Sequence, residues 1–312
     1  MKTRKLGRTD IQITEIGFGT NYVGGHNLYE SVDEDEGVRI VEQAVDQGIT
    51  YIDTADVYGM GRSEELVGRA LAGKQDKVVL ATKGGVMFYK GFQPRPNINN
   101  DPAYLRQALE ASLKRLGRDH VDLYYIHRSD GKTPPEEAFG ALIRFKEEGL
   151  IRAAGLSNFA PSEIKAAMKA GPVDAVQARY NILQRDVERE VLPLCEENGI
   201  SFIPWGPLAF GLLGGKYTRD FILPENDWRN RTGVFDPEVY DRHLDIVDEL
   251  KALAVKRGAP PAQMAIQWLL SRPAVGSVIA GAKNVDQLKQ NALAESLALN
   301  REELGRIDAL VV

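Results

Sequence analysis

Eight short apolar runs, helical spacing between them and the lack of any linker predict an α/β fold, a single (β/α)8 TIM barrel spanning residues 1–312. The runs are IGFG (16–19), TYID (50–53), KVVLAT (77–82), VDLYYI (121–126), IRAAGLS (151–157), AVQARY (175–180), ISFIPW (200–205) and GSVIAG (276–281). Continuous apolar stretches suit strands covered on both faces, the condition of a parallel sheet wrapped in helices. Length alone would also permit two ordinary domains. A doubly wound sheet, however, would stop at fewer strands and need a second domain, and no Pro/Ser-rich linker separates one.

From the N-terminus, TRKL and IQIT around the turn GRTD (within 3–14) read as a hairpin closing the barrel's N-terminal mouth. Helical spacing follows in 33–48, 63–73, 102–117, 135–149, 161–171 and 186–199. Asp101-Pro102 and Pro134-Pro135 open two of these helices, since a first-turn N–H has no helical partner to lose. Gly48, Gly73, Gly117, Gly149, Gly171 and Gly199 close them, each expected in the left-handed conformation. Residues 84–100 and 209–236 are long loops after the third and seventh runs, on the face where barrel active sites lie. Tyr22, Tyr29, Phe88 and Phe92 are loop aromatics expected around a pocket. NREELGRIDAL (300–310) reads as an extra C-terminal amphipathic helix.

Composition narrows the function classes. Lys plus Arg number 39 and Asp plus Glu 44, for a net charge of −5 without a block of one sign. That balance gives no electrostatic footing for nucleic acid or a membrane surface. No apolar run reaches the roughly 18 residues of a membrane span, and MKTRKLGRTDIQITEIG lacks a signal-peptide core. A cytoplasmic monomer acting on a small molecule is expected. Cys195, the one cysteine, excludes an intrachain disulfide and reads as a packed core thiol. His26, His120, His127 and His243 have no metal-ligand spacing, so no metal is expected. Gly17-Phe18-Gly19 continues as Thr20-Asn21-Tyr22 and fails the dinucleotide fingerprint. GLLGGKY (211–217) has Phe210 where a phosphate loop needs its first glycine, and His127-Arg128-Ser129-Asp130 stands without the other kinase elements.

The strand ends carry the chemistry. Asp53 ends the second run and Tyr58 lies in the loop after it; Lys83 ends the third and His127 the fourth. Singly, such residues cap helices, reach to solvent or fill space. At adjacent strand ends of a barrel they converge on one mouth. A free phenol titrates near pH 10, and a neighbouring Lys83 cation is expected to lower that value. Asp53 would hold Lys83 charged, and His127 would offer a hydrogen bond to a substrate oxygen. The set reads as a proton donor with an oxyanion site for a carbonyl being reduced.

With these residues the chain resembles the aldo-keto reductase superfamily, and within it the bacterial IolS-type branch. The matching segments are LGRTDIQITEIGFGT, GTNYVGGHNLY, DTADVYG with SEELVGRAL, VVLATK, DLYYIH, GLSNF, VQARYN, GPLAFGLLGGKY and AGAKNVDQLKQN. The resemblance implies an NAD(P)H-dependent barrel enzyme with Asp53, Tyr58, Lys83 and His127 as catalytic residues and Tyr58 as proton donor. It implies Ser157, Asn158 and Gln177 as nicotinamide carboxamide contacts and Trp205 as the ring stacked on the nicotinamide. Main-chain groups around Leu208 and Gly211 would approach the pyrophosphate, Lys283 would pair with the 2′-phosphate of NADP, and Gln287 and Asn291 would touch adenine. Thr20, Asp53, Pro207, Lys216 and Gly281 complete the implied cofactor set, and NADPH is favoured over NADH. Two departures stand out: Ala280 where relatives often have proline, and Arg128-Ser129-Asp130 directly after His127.

Two other functions fit the same residues. One is an NADP-binding redox sensor or regulatory subunit with little turnover. The other is a barrel isomerase or aldolase with Lys83 as a Schiff base, which would need a depressed lysine pKa.

Overall fold

The computed structural model describes residues 1–87 and 97–311. Strands β1 (Thr3–Lys5) and β2 (Gln12–Thr14) form an antiparallel hairpin with Arg4 opposite Ile13. Eight parallel strands follow: β3 (Ile16–Gly19), β4 (Tyr51–Asp53), β5 (Val79–Gly84), β6 (Val121–Ile126), β7 (Ile151–Ser157), β8 (Ala175–Arg179), β9 (Ser201–Trp205) and β10 (Val278–Gly281). Strands β3 to β8 each pair with the next in chain order, and β10 returns to pair with β3. A parallel bridge between Phe202 and Val275 joins the remaining edge, which makes the sheet a (β/α)8 barrel.

Ten helices cover its outside and flank its ends: α1 (Glu34–Asp46), α2 (Arg62–Ala70), α3 (Pro102–Leu116), α4 (Pro135–Glu147), α5 (Pro161–Ala167), α6 (Val191–Asn198), α7 (Pro237–Lys256), α8 (Pro261–Leu270), α9 (Val285–Ala292) and α10 (Arg301–Asp308), counted among the described residues. The return from β9 to β10 carries two of them, α7 and α8. None of the described helices is long and apolar enough to cross a membrane.

Strand alternation decides what fills the barrel. Tyr51, Ala81, Leu123, Tyr125, Ala153, Ala175, Ile203 and Ile279 point inward and pack with Leu6, Ile11 and Ile13 of the hairpin segment, which stops the N-terminal end. The two large rings fit because glycines face them. A Cβ on Gly17 would lie 2.6 Å from the Tyr51 ring, and one on Gly155 would lie 2.5 Å from that of Tyr125. The outward residues of the same strands pack beneath the helices in a larger core.

Element ends follow the sequence with two differences. Asp101 accepts the N–H groups of Ala103 and Tyr104 ahead of Pro102, and Gly117 and Gly199 take left-handed caps at φ 65° and 60°. Gly171 does not: α5 ends at Ala167, before it, and no positive φ occurs there. Its lack of a side chain answers to packing instead, because a Cβ would meet Ile143 Cδ1 at 2.6 Å. The helix expected over 186–199 splits into a short turn (Asp186–Glu188) and α6. Pro193 has no N–H to reach back to Arg189, so the first helical bond is Leu194 N–H to Glu190. Phe88 and Phe92 lie outside the described residues.

Candidate active site

The alternation that fills the barrel also builds its C-terminal mouth. One period beyond Tyr51, Ala81, Tyr125, Ala175 and Ile203 stand Asp53, Lys83, His127, Gln177 and Trp205. Lys83 is sealed in this layer. Its Nζ donates to Asp53 Oδ1 at 2.5 Å and to the Thr54 carbonyl at 2.7 Å, and lies 5.4 Å from the centroid of the Tyr58 ring. The other Asp53 oxygen accepts Gln177 Nε2 at 2.9 Å, so Gln177 fixes the carboxylate from the far side of the barrel. The Tyr58 and His127 rings stand edge to face, centroids 6.2 Å apart and planes at 86°. Both are partly open to solvent, whereas Asp53 and Lys83 are buried.

Tyr58 is placed by backbone. Thr54 N–H donates to Ala81 and Asp56 N–H to Lys83, at 2.9 and 3.1 Å, which continues the β4–β5 ladder past the end of β4. Gly59, Met60 and Gly61 then take positive φ in succession and turn the chain into α2. Gly59 has no alternative, since a Cβ there would meet the Gly24 carbonyl oxygen at 1.9 Å. His127 is set by its own N–H, which donates to the Gly84 carbonyl at 2.8 Å.

The electrostatics assign protonation states. Burial works against the Lys83 cation, but the charge of Asp53 and the hydrogen bond to it lead the effects that outweigh burial and raise its pKa. Burial together with the charges of Lys83 and Arg128 holds His127 well below the usual imidazole range, so its ring is neutral. The expectation for Tyr58 needs correction. Lys83 does pull the phenol down, but burial, aided by Asp53, pushes it up by more, so the group stays protonated above its ordinary range. His127 Nδ1 is buried and has no hydrogen-bond partner among the described residues.

The residues implied for the cofactor fall into three places. Ser157 ends β7, and Asn158 follows it in a left-handed conformation, φ 58°. Asn158 Nδ2 donates to the His127 carbonyl (3.1 Å) and to Ser157 Oγ (2.8 Å), while its Oδ1 accepts the Trp205 indole N–H at 2.9 Å. Thr20 is buried, its hydroxyl shared between the Asp53 carbonyl and Ser63 Oγ. Pro207, Leu208 and Gly211 form the turn after β9, where the N–H groups of Ala209 and Gly211 donate to the Gly206 and Leu208 carbonyls; Lys216 is exposed just beyond. Gly281 and Lys283 border α9, held by Gln287 and Asn291: Gln287 Oε1 accepts the Lys283 N–H, and Asn291 Nδ2 donates to the Gly281 carbonyl. Ala280, for its part, is a paired residue of β10, opposite Phe18.

A run of aromatic edges that the sequence reading did not foresee links these places. Trp205 lies 6.1 Å from Phe210, Phe210 5.3 Å from Trp228, Trp228 6.2 Å from Tyr29 and Tyr29 5.2 Å from Tyr22, centroid to centroid. Lys283 Nζ ends the run, 5.0 Å from the Tyr29 ring. Trp228 sits in a loop without periodicity, and only its size marks it there. Beside it Arg229 is clamped by Asp227 at 2.7 Å and donates to the Tyr217 hydroxyl at 2.6 Å. Asp56 was also missed, although it stands inside DTADVYG. It is buried, its carboxyl is pushed far up by burial and by Glu64, and its Oδ1 has no partner among the described residues. Glu64 itself accepts Thr82 Oγ1 (2.5 Å) and Arg115 Nε (2.7 Å). Cys195 is buried with its thiol pushed up to about 12, and no cluster among the described residues could hold a metal ion.

Comparison with known proteins agrees with this geometry along the chain. The Aldo/keto reductase family model matches residues 15–312. A probable aldo-keto reductase 1 from Glycine max is 36% identical over 305 residues, covering 97% of this chain and 87% of that one. The Schizosaccharomyces pombe aldo-keto reductase yakc, named with NADP(+), is 35% identical over 299 residues, 93% of this chain and 85% of the relative. Among solved structures, the glycerol dehydrogenase AKR11B4 from Gluconobacter oxydans superimposes with a TM-score of 0.91 at 34% identity, over 99% of this chain and 94% of the other. A barrel whose strand ends gather these groups, matched from Glu15 onward by one family and at about a third identity by its full-length members, belongs to the aldo/keto reductase family of NAD(P)H-dependent oxidoreductases.

Proposed function

We propose that the protein reduces aldehydes or ketones to alcohols with NADPH, Tyr58 donating the proton to the carbonyl oxygen. One observation carries this reading: Lys83, buried between the Asp53 carboxylate and the Tyr58 ring, with His127 beside the phenol. NADPH, when bound, supplies the hydride. Tyr58 is loaded as an acid because burial keeps it protonated, and Lys83, held charged by Asp53, faces the phenolate left behind. A neutral His127 has one N–H to place on the same substrate oxygen. A charged Lys83 also argues against Schiff-base chemistry.

The donor set fits the cofactor. Ser157 and Asn158, bonded to each other and on to Trp205, and Gln177, bonded to Asp53, bring hydroxyl and amide groups to the mouth, the kinds of group a carboxamide requires. Lys283 and Arg229 share a single carboxylate, Asp227, and burial and Arg229 both press Lys283 toward losing its proton. That spot holds one more positive than negative charge, which a 2′-phosphate would relieve; NADH offers none. Placement in the IolS-type branch is part of the same proposal.

Replacement of Tyr58 by Phe tests the assignment. Turnover of a reactive aldehyde should fall about 10²–10⁴-fold, while NADPH, followed by quenching of tryptophan fluorescence, should bind as before and more tightly than NADH. Unchanged turnover overturns the role of Tyr58. Tight NADPH binding by the parent without turnover of any aldehyde would favour the regulatory reading.

A further inference from the structure

The mouth above the four residues holds two cations that no carboxylate among the described residues pairs with. Arg128 follows His127 directly, at the end of β6. Arg179 is the last residue of β8, and the alternation that turns Ala175 and Gln177 inward continues to it. Its one hydrogen bond among those described runs from Nη1 to the Thr232 carbonyl at 3.2 Å, a neutral partner. Neither arginine makes an ion pair among the described residues, although most other arginines here do. The acids beside Arg128 are committed elsewhere. Asp130 accepts the N–H groups of Asn100, Lys132 and Thr133, and Glu163 accepts Ser129 Oγ and the Ala160 N–H. The sequence of 88–96, FYKGFQPRP, contains no carboxylate either.

The Arg128 guanidinium also feels the reaction centre. The charge of Arg128 reaches both Tyr58 and His127, and Arg128 is itself held below its ordinary range by burial and by the positive charge of Arg179. Arg128 is exposed and Arg179 half-buried, and these two like charges repel one another with no counter-ion among the described residues, an arrangement that one anion placed between them relieves. The planar fork of arginine matches carboxylate and phosphate oxygens alike.

We propose that Arg128 and Arg179 form an anion-binding subsite that selects carbonyl substrates bearing a carboxylate or phosphate group away from the reacting carbon. The inference rests on the carbonyl-reductase reading above and names the substrate class of that site.

Two matched substrate pairs test it with NADPH: 4-carboxybenzaldehyde against its methyl ester, and glyceraldehyde 3-phosphate against glyceraldehyde. In at least one pair the anionic member should be favoured in kcat/KM by about tenfold or more, the scale of a charge-assisted hydrogen bond. The preferred pair tells carboxylate from phosphate, and the preference should shrink as salt is raised. Arg128→Gln and Arg179→Gln should each lower kcat/KM for the anionic member far more than for its neutral partner, mainly through KM, and Arg128→Lys should restore part of the ratio. Turnover of the neutral members without preference for either anion overturns the subsite and leaves the reductase standing. A preference that survives both Gln variants overturns the assignment to these arginines. If no member is reduced, the reductase reading falls and takes the subsite with it.

Discussion

The two halves of the barrel mouth are built differently. On the β4–β6 side, Asp53, Lys83, Tyr58 and His127 are carried by strand ends or by a loop hydrogen-bonded as if it were strand, and the ion pair at its centre is sealed from water. On the β9–β10 side, short turns, left-handed residues and ring edges from residues 20–31 and 206–236 meet through side-chain contacts, and the charges are partly exposed. The proton transfer proposed above tolerates little displacement, and the groups proposed to carry it sit where the backbone ladder leaves no freedom. The dinucleotide of the proposed reaction would have to enter and leave, and the contacts that would cover it are weak individually and can part.

The sharpest way to break this contrast is at the sealed pair. Asp53→Asn leaves Lys83 buried without a counter-charge and should cost about 3–5 kcal/mol in urea unfolding. The double change Asp53→Leu with Lys83→Met removes both charges and should recover much of that loss. A double variant as unstable as the single one would show that the pair is not what holds this half.

A smaller effect is expected where the halves join. Asn158 ties the Trp205 indole to the His127 carbonyl from a left-handed backbone. Asn158→Ala loses these two bonds and the one to Ser157 Oγ and keeps the strain, at a cost of about 2–3 kcal/mol. Asn158→Gly loses the same bonds without the strain and should be the milder change in the same unfolding assay.

The smallest lies at the base of the aromatic run. Glu34, at the start of α1, accepts from Arg62 and His26, and these bonds lower its carboxyl from 4.5 to about 2. The folded state therefore prefers the carboxylate. Its contribution is complete above about pH 4.5 and is lost as pH falls toward 2. Melting temperatures of the parent should drop across that interval more steeply than those of Glu34→Gln, and parallel curves would remove this anchor from the account.

The same division governs what the sequence could tell. The strands, the hairpin and the convergence of Asp53, Tyr58, Lys83 and His127 were readable because period-two alternation and strand order are local signals that the barrel simply sums. Gly171 misled because a glycine needed for a close approach to Ile143 looks the same in sequence as one needed for a turn. The direction of the Tyr58 shift was misjudged because Lys83 can be read from its position, whereas the depth of burial that overrides it depends on the whole fold. Trp228, Arg229 and Asp227 had no periodicity to betray them; their partners Tyr29 and Tyr217 come from separate segments of chain.

The Thr54 and Asp56 amides, bonded to Ala81 and Lys83, make the segment bearing Tyr58 part of the barrel's own hydrogen-bond register. Amides held in a sheet ladder are expected to exchange with solvent only when its strands part, more slowly than those of surface loops. In the reaction proposed above Tyr58 would thus be a fixed landmark, and motion that sets the pace of turnover would belong to the loops that cross the other half.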